Sequence, residues 1–146
     1  MASTTNPTTA PVPQEDNRSA VEQGYDLCSA AYTSTRSQDS VRELTLLTTR
    51  LPPSSKILDL GCGAGIPVAL SLTTHPNSYH VTGVDISLEQ IKHARLNVPA
   101  ATFHHADMAS PTLDAALGGP ETFDAVVAFF SIFHLPRAMH ADMFRR

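Results

Sequence analysis

From Lys56 onward the chain alternates short apolar runs with longer mixed ones. "KILDL" (56–60), "YHVTGVDI" (79–86), "ATFHHAD" (101–107) and "FDAVVAFFSI" (123–132) read as strands, the last of continuous apolar character. Between them "IPVALSLTT" from Ile66, "SLEQIKHARLN" from Ser87 and a short stretch from Pro111 to Leu117 read as helices. Ser87 with Gln90 three residues on is a capping-box pattern. "LPRAMHADMFRR" opens a further helix, with Pro136 suited to its first turn. Strands that alternate with helices pair in parallel through right-handed crossovers, so the pattern predicts an α/β fold with a doubly wound, mostly parallel sheet.

Ahead of this unit, residues 19–33 place Val21, Tyr25, Cys28 and Tyr32 on one helical face. A second helix is predicted from about Asp39 to Arg50, with Val41, Leu44, Leu47 and Leu51 turned inward. "LPPSS" stops it, because two prolines cannot continue a helix. The opening "MASTTNPTTAPVPQEDN" is Thr/Pro-rich and reads as a disordered tail over residues 1–18, which leaves 19–52 for the two helices.

Composition narrows the function classes. Of 146 residues, 42 % are hydrophobic and 16 % charged, the profile of a globular protein. The net charge of −4, with no basic run besides Arg145-Arg146, does not suit nucleic acid. No apolar stretch reaches the roughly 18 residues of a membrane span. Two cysteines, Cys28 and Cys62, are too few for a disulfide framework, and point to a reducing, cytoplasmic setting. His104 and His105 are adjacent strand residues that point to opposite faces, so a shared metal ion is not expected.

The chemistry concentrates where the first strand ends. "KILDLGCGAGIPVAL" (56–70) puts Gly61, Gly63 and Gly65 within five positions, although each glycine costs roughly 0.5–1 kcal/mol against alanine in ordered structure. Ligands of open parallel sheets sit beyond the carboxyl ends of the strands, and a backbone without side chains lets a nucleotide approach closely. The spacing is not the dinucleotide pattern G-x-G-x-x-G, since Ile66 stands at the third position, and no Lys follows as a P-loop requires. Asp59, two residues before the first glycine, would repel a pyrophosphate and suits a cationic ligand. Asp85, 20 residues after Gly65, can accept hydrogen bonds from both hydroxyls of a ribose. Asp107 can accept from an exocyclic amine, with the Met108 N–H facing a ring nitrogen.

"ILDLGCGAG", "VTGVDIS", "HHADM" and "FDAVVAFFSIFHLP", in this order, resemble the class I S-adenosylmethionine-dependent methyltransferases, near the small-molecule group that includes the ubiquinone-biosynthesis type. The resemblance covers roughly residues 24–146. It implies S-adenosyl-L-methionine as cofactor, a small-molecule methyl acceptor, and a partial methyltransferase domain over 53–146. By it, Gly61, Cys62, Gly63 and Gly65 approach the methionine and ribose, and Asp59 lies near the α-amino group. Asp85 with Ile86 holds the ribose, Asp107 and Met108 the adenine. Phe130 to His134 lie beside the methyl group, and Tyr25, Tyr32 and Arg36 match a stretch that folds over the cofactor. His134 is a candidate general base for a hydroxyl or an acidic carbon, or else a residue that caps the next helix or packs on Phe130. Cys62 reads as a small loop residue rather than a nucleophile.

The family normally continues with a helix, a fifth strand and a hairpin, so the sheet is expected to be incomplete after its fourth strand. That strand would present an apolar edge, a template for self-association or for pairing with another chain. Two other readings stay open: a noncatalytic fragment that binds the cofactor or a partner, and a dinucleotide-dependent oxidoreductase, which Ile66 and Asp59 disfavour.

Overall fold

The computed structural model describes residues 16–35, 40–119 and 122–145. Most of the expected tail, Arg36, and the side chains of Cys28, Tyr32 and Val41 lie outside the described residues. Two helices, α1 (Arg18–Thr35) and α2 (Ser40–Thr48), precede the sheet. Then β1 (Lys56–Leu60), α3 (Val68–Thr73), β2 (His80–Asp85), α4 (Leu88–Asn97), β3 (Thr102–His105), α5 (Leu113–Ala116) and β4 (Ala125–Val127) alternate. A 3-10 turn (Ile132–His134) and α6 (Arg137–Met143) complete the chain.

The four strands form one parallel sheet in the order β3-β2-β1-β4. The order steps outward from β1 to β3 and then reverses to place β4 on the other side. The carboxyl ends of β1 and β4 therefore flank a switch point, where an open α/β sheet leaves a crevice.

Strand alternation divides the core. Ile57 of β1 and Val81 of β2 pack with Leu72 of α3, Ile91 and Ala94 of α4 and Phe103 of β3 on one face. Leu58, Leu60 and Val84 pack with Leu113 of α5 on the other. Ile57, Val84 and Ile91 are wholly buried, and each such side chain contributes about 1.5–3 kcal/mol relative to exposure. Leu44 of α2 is buried and Leu47 and Leu51 pack beside it, as the sequence predicts.

Several boundaries move. Helix α1 begins at Arg18, inside the expected tail. Helix α3 begins only at Val68, with Pro67 at its N-cap, so residues 61–67 all serve as turn. The capping box of α4 closes one way: Ser87 Oγ accepts from the Gln90 N–H at 3.2 Å, while the Gln90 side chain finds no hydrogen bond among the described residues. Strand β4 is three residues long, not ten. Beyond it the backbone leaves the extended region at Phe130, whose φ is +56°, and Ser131 Oγ donates to the Leu60 carbonyl at 2.6 Å. That bond draws the segment across the end of β1 instead of along it.

Candidate functional site

At the carboxyl end of the sheet, under α1, lies a cavity that opens to solvent. Its floor is the turn after β1. The Gly61 and Cys62 N–H groups both donate to the Val84 carbonyl, at 2.7 and 3.0 Å, which locks the turn onto β2. The Gly63 N–H donates to Asp85 Oδ2 at 2.8 Å, and the Ser87 N–H to Asp85 Oδ1 at 2.9 Å. One carboxylate thus bridges the glycine turn and the start of α4.

The glycines answer to different neighbours. Gly61 has φ +74°, and a Cβ there would fall 2.3 Å from the Ser131 Cβ. Gly65 has φ +78° and packs against Val98 and Phe103, so it serves the contact between α4 and β3 rather than the cavity.

Asp107 follows β3. Its Oδ1 accepts from the Ala109 N–H at 2.8 Å, and its Oδ2 pairs with Arg18 of α1 at 2.5 Å. Arg18 also bonds Asp16, and these two carboxylates, Asp16 first, raise its pKa against the opposing pull of burial. Across the cavity, Tyr25 Oη and His134 Nε2 stand 3.0 Å apart. Burial lowers the His134 pKa from the ordinary 6.5, with Asp85 pulling the other way.

Of the residues singled out from sequence, Gly61, Gly63, Asp85, Ile86, Asp107, Met108, Phe130, Tyr25 and His134 line this one cavity. Asp59, Cys62 and Gly65 do not. Asp59 shares the face of Ile57 by strand alternation and is 1 % exposed, so its side chain supports the core side of the turn rather than meeting a ligand directly. Cys62 is buried in the same core. Arg36 lies outside the described residues. Arg18 was not singled out, and Val21 only as a helix-face residue, yet both line the cavity with Tyr25. Their spacing of three and seven residues was a legible helical stripe.

A parallel sheet with its ligand crevice at the β1/β4 switch point, floored by a glycine turn and walled by two strand-end acids, defines the nucleoside-binding class of α/β proteins. Residues 57–146, more than half of the chain, match the family described as "Methyltransferase domain", and the chain belongs to that family, among the class I S-adenosylmethionine-dependent methyltransferases. It is 34 % identical over 91 residues to the dTDP-3-amino-3,4,6-trideoxy-alpha-D-glucopyranose N,N-dimethyltransferase of Streptomyces venezuelae, covering 59 % of this chain and 32 % of that protein. It is 31 % identical over 84 residues to a ubiquinone biosynthesis O-methyltransferase of Xanthomonas campestris pv. campestris, covering 58 % and 34 %. The solved DhpI–SAM–HEP complex shares the fold, with a TM-score of 0.66 at 20 % identity over 92 % of this chain and 60 % of that one. The chain spans a third or less of the length of the first curated relatives it matches.

Proposed function

We propose that this chain binds S-adenosyl-L-methionine in the cavity under α1 and serves methyl transfer to a small-molecule acceptor. The observation that carries the reading is the pair of carboxylates, Asp85 and Asp107, at the ends of adjacent strands and facing the glycine turn. The donor set fits the cofactor. Asp85 offers two acceptor oxygens to a ribose diol, and Asp107 offers one to an exocyclic amine once Arg18 yields it. Gly63 brings bare backbone to the cavity, and the acids favour a cation. When bound, the cofactor supplies a methyl group already activated by its sulfonium.

The residues then divide by task. Gly61, Gly63, Asp85, Ile86, Asp107 and Met108 hold the nucleoside, with Asp59, Cys62 and Gly65 shaping the turn from below. Tyr25 and Phe130 enclose the methionine end, and His134, neutral near pH 7, accepts a proton. Residues 53–146 form the cofactor-binding unit, preceded by the N-terminal helices of 19–52, in a cytoplasmic setting that suits the buried Cys62 thiol. The outer edge of β4, where Val126 is exposed, is the surface on which another chain would pair.

Calorimetric titration with S-adenosylhomocysteine tests the reading, with Asp85→Ala as control. Saturable binding by the chain, lost or weakened in the control, is expected. A folded chain that takes up no ligand would sink the proposal.

A further inference from the structure

Tyr25 and His134 lie 109 positions apart in sequence, yet they meet at the cavity wall through Oη and Nε2 at 3.0 Å. Their rings stand edge to face, 5.6 Å between centroids at 87°. The Phe133 ring also lies against the imidazole, 4.4 Å away and tilted by 47°. The imidazole is thus held by aromatic neighbours, with one nitrogen engaged. Asp85 from β2, Asp107 after β3 and Arg18 of α1 are the charged groups that share its cavity. His140 of α6 is turned to the Leu135 carbonyl instead.

Burial outweighs the Asp85 field, so the imidazole is neutral near pH 7. A tyrosine hydroxyl keeps its proton up to about pH 10. Between a protonated phenol and a neutral imidazole, the phenol is the more acidic donor and the imine nitrogen the more basic acceptor. The favoured arrangement has Tyr25 donating to Nε2, which leaves the imidazole proton on Nδ1. His134 Nε2 therefore has a proton donor in front of it, and anything it deprotonates must act through Tyr25.

We propose that Tyr25 and His134 form a proton relay, and that the methyl acceptor is a hydroxyl compound methylated on oxygen. This rests on the reading of the cavity as a methyl-transfer site. The acceptor O–H bond breaks and its proton passes to the Tyr25 oxygen as the proton of Tyr25 passes to Nε2. The acceptor oxygen bonds to the methyl carbon, and the electron pair of the broken C–S bond stays on sulfur. The products are a methyl ether, a thioether and an imidazolium that returns its proton to water. A carboxylate acceptor carries no proton to relay, and a neutral amine attacks through its lone pair before it loses one. Of the acceptors that must lose a proton, an acidic carbon offers at most a weak hydrogen bond to the Tyr25 oxygen, whereas a hydroxyl donates a strong one and fits the relay. Because Tyr25 rides on α1, proton removal requires that helix to be closed over the cavity.

The test reads the nitrogen atoms and does not depend on turnover. Long-range proton–nitrogen NMR of the 15N-labelled chain at pH 7.5, with His134→Gln to assign the signals, gives the tautomer directly. Nδ1–H with an unprotonated Nε2 is expected, in the free chain and with S-adenosylhomocysteine. Tyr25→Phe should mix the tautomers and raise the His134 pKa by about 0.5–1 unit, the size of one lost hydrogen bond. A Tyr25 that does not donate to Nε2 would move neither. Nε2–H in the wild type, or an unchanged spectrum in Tyr25→Phe, overturns the relay even if S-adenosylhomocysteine binds. Absence of S-adenosylhomocysteine binding would instead remove the methyl-transfer reading, and the relay with it.

Discussion

The floor of the cavity is held in place by burial, and its cover by polar contacts. In β1, the four residues from Ile57 to Leu60 are all buried, and the turn that follows is bonded to β2 through backbone groups. In α1, none of the described side chains from Arg18 to Leu27 is fully buried, and Leu27 is 90 % exposed. That helix is held by Arg18 on Asp107, Tyr25 on His134, and Asp26, which accepts from Ser87 Oγ at 2.5 Å. Partly exposed polar pairs contribute about 0–1 kcal/mol each, whereas a buried aliphatic side chain contributes several times more. The floor is therefore the part that folding fixes, and the cover is the part that a ligand can move.

Substitutions in the floor should have the largest effects. Gly61→Ala puts a methyl group into Ser131 at a positive φ, and is expected to cost about 2–4 kcal/mol in denaturant unfolding and to abolish S-adenosylhomocysteine binding. A midpoint shift too small to measure would mean that the turn is not rigid. Next comes Asp85→Ala, which removes two backbone bonds and the proposed ribose acceptor. Its affinity for S-adenosylhomocysteine should fall about 10–100-fold by calorimetry, the worth of a charged hydrogen bond.

The cover should respond more weakly. Asp26→Ala loses the bond to Ser87 and should speed proteolysis within α1 while lowering global stability by no more than about 1 kcal/mol. An equal loss at both levels would show that α1 unfolds with the sheet, and the comparison would fail. The smallest effect is that of pH on His134. Its pKa is lowered on folding, so the unfolded chain binds the extra proton first. The associated stability is present above about pH 6.5 and is lost as pH falls through the lower folded value. Unfolding midpoints at pH 7.5 and 5.5 should differ less in His134→Gln than in the wild type.

The same contrast explains what could be read from sequence. The floor announces itself through short apolar runs, a cluster of glycines and acids at two strand ends. The cover does not, because Arg18, Val21 and Tyr25 form a stripe that any surface helix could show. Asp59 was placed beside the ligand by its distance from the glycines, and the structure buries it out of the cavity lining. Strand alternation from Ile57 already set it on the core face. Strand β4 was read as long because its apolar run continues, although the left-handed turn at Phe130 and the Ser131 bond to Leu60 end the pairing early. The three glycines were given one purpose, but Gly61 and Gly65 are required by Ser131 and by the α4–β3 packing respectively. Such contacts between distant segments leave no local trace.

Backbone amide NMR during titration with S-adenosylhomocysteine tests most directly whether the ligand lies between floor and cover. Shifts should concentrate at Gly61, Gly63, Asp85, Ile86, Asp107 and Met108, with smaller changes along α1 from Arg18 to Tyr25. Saturable shifts confined to any other surface, or none at all in a folded chain, would contradict the account.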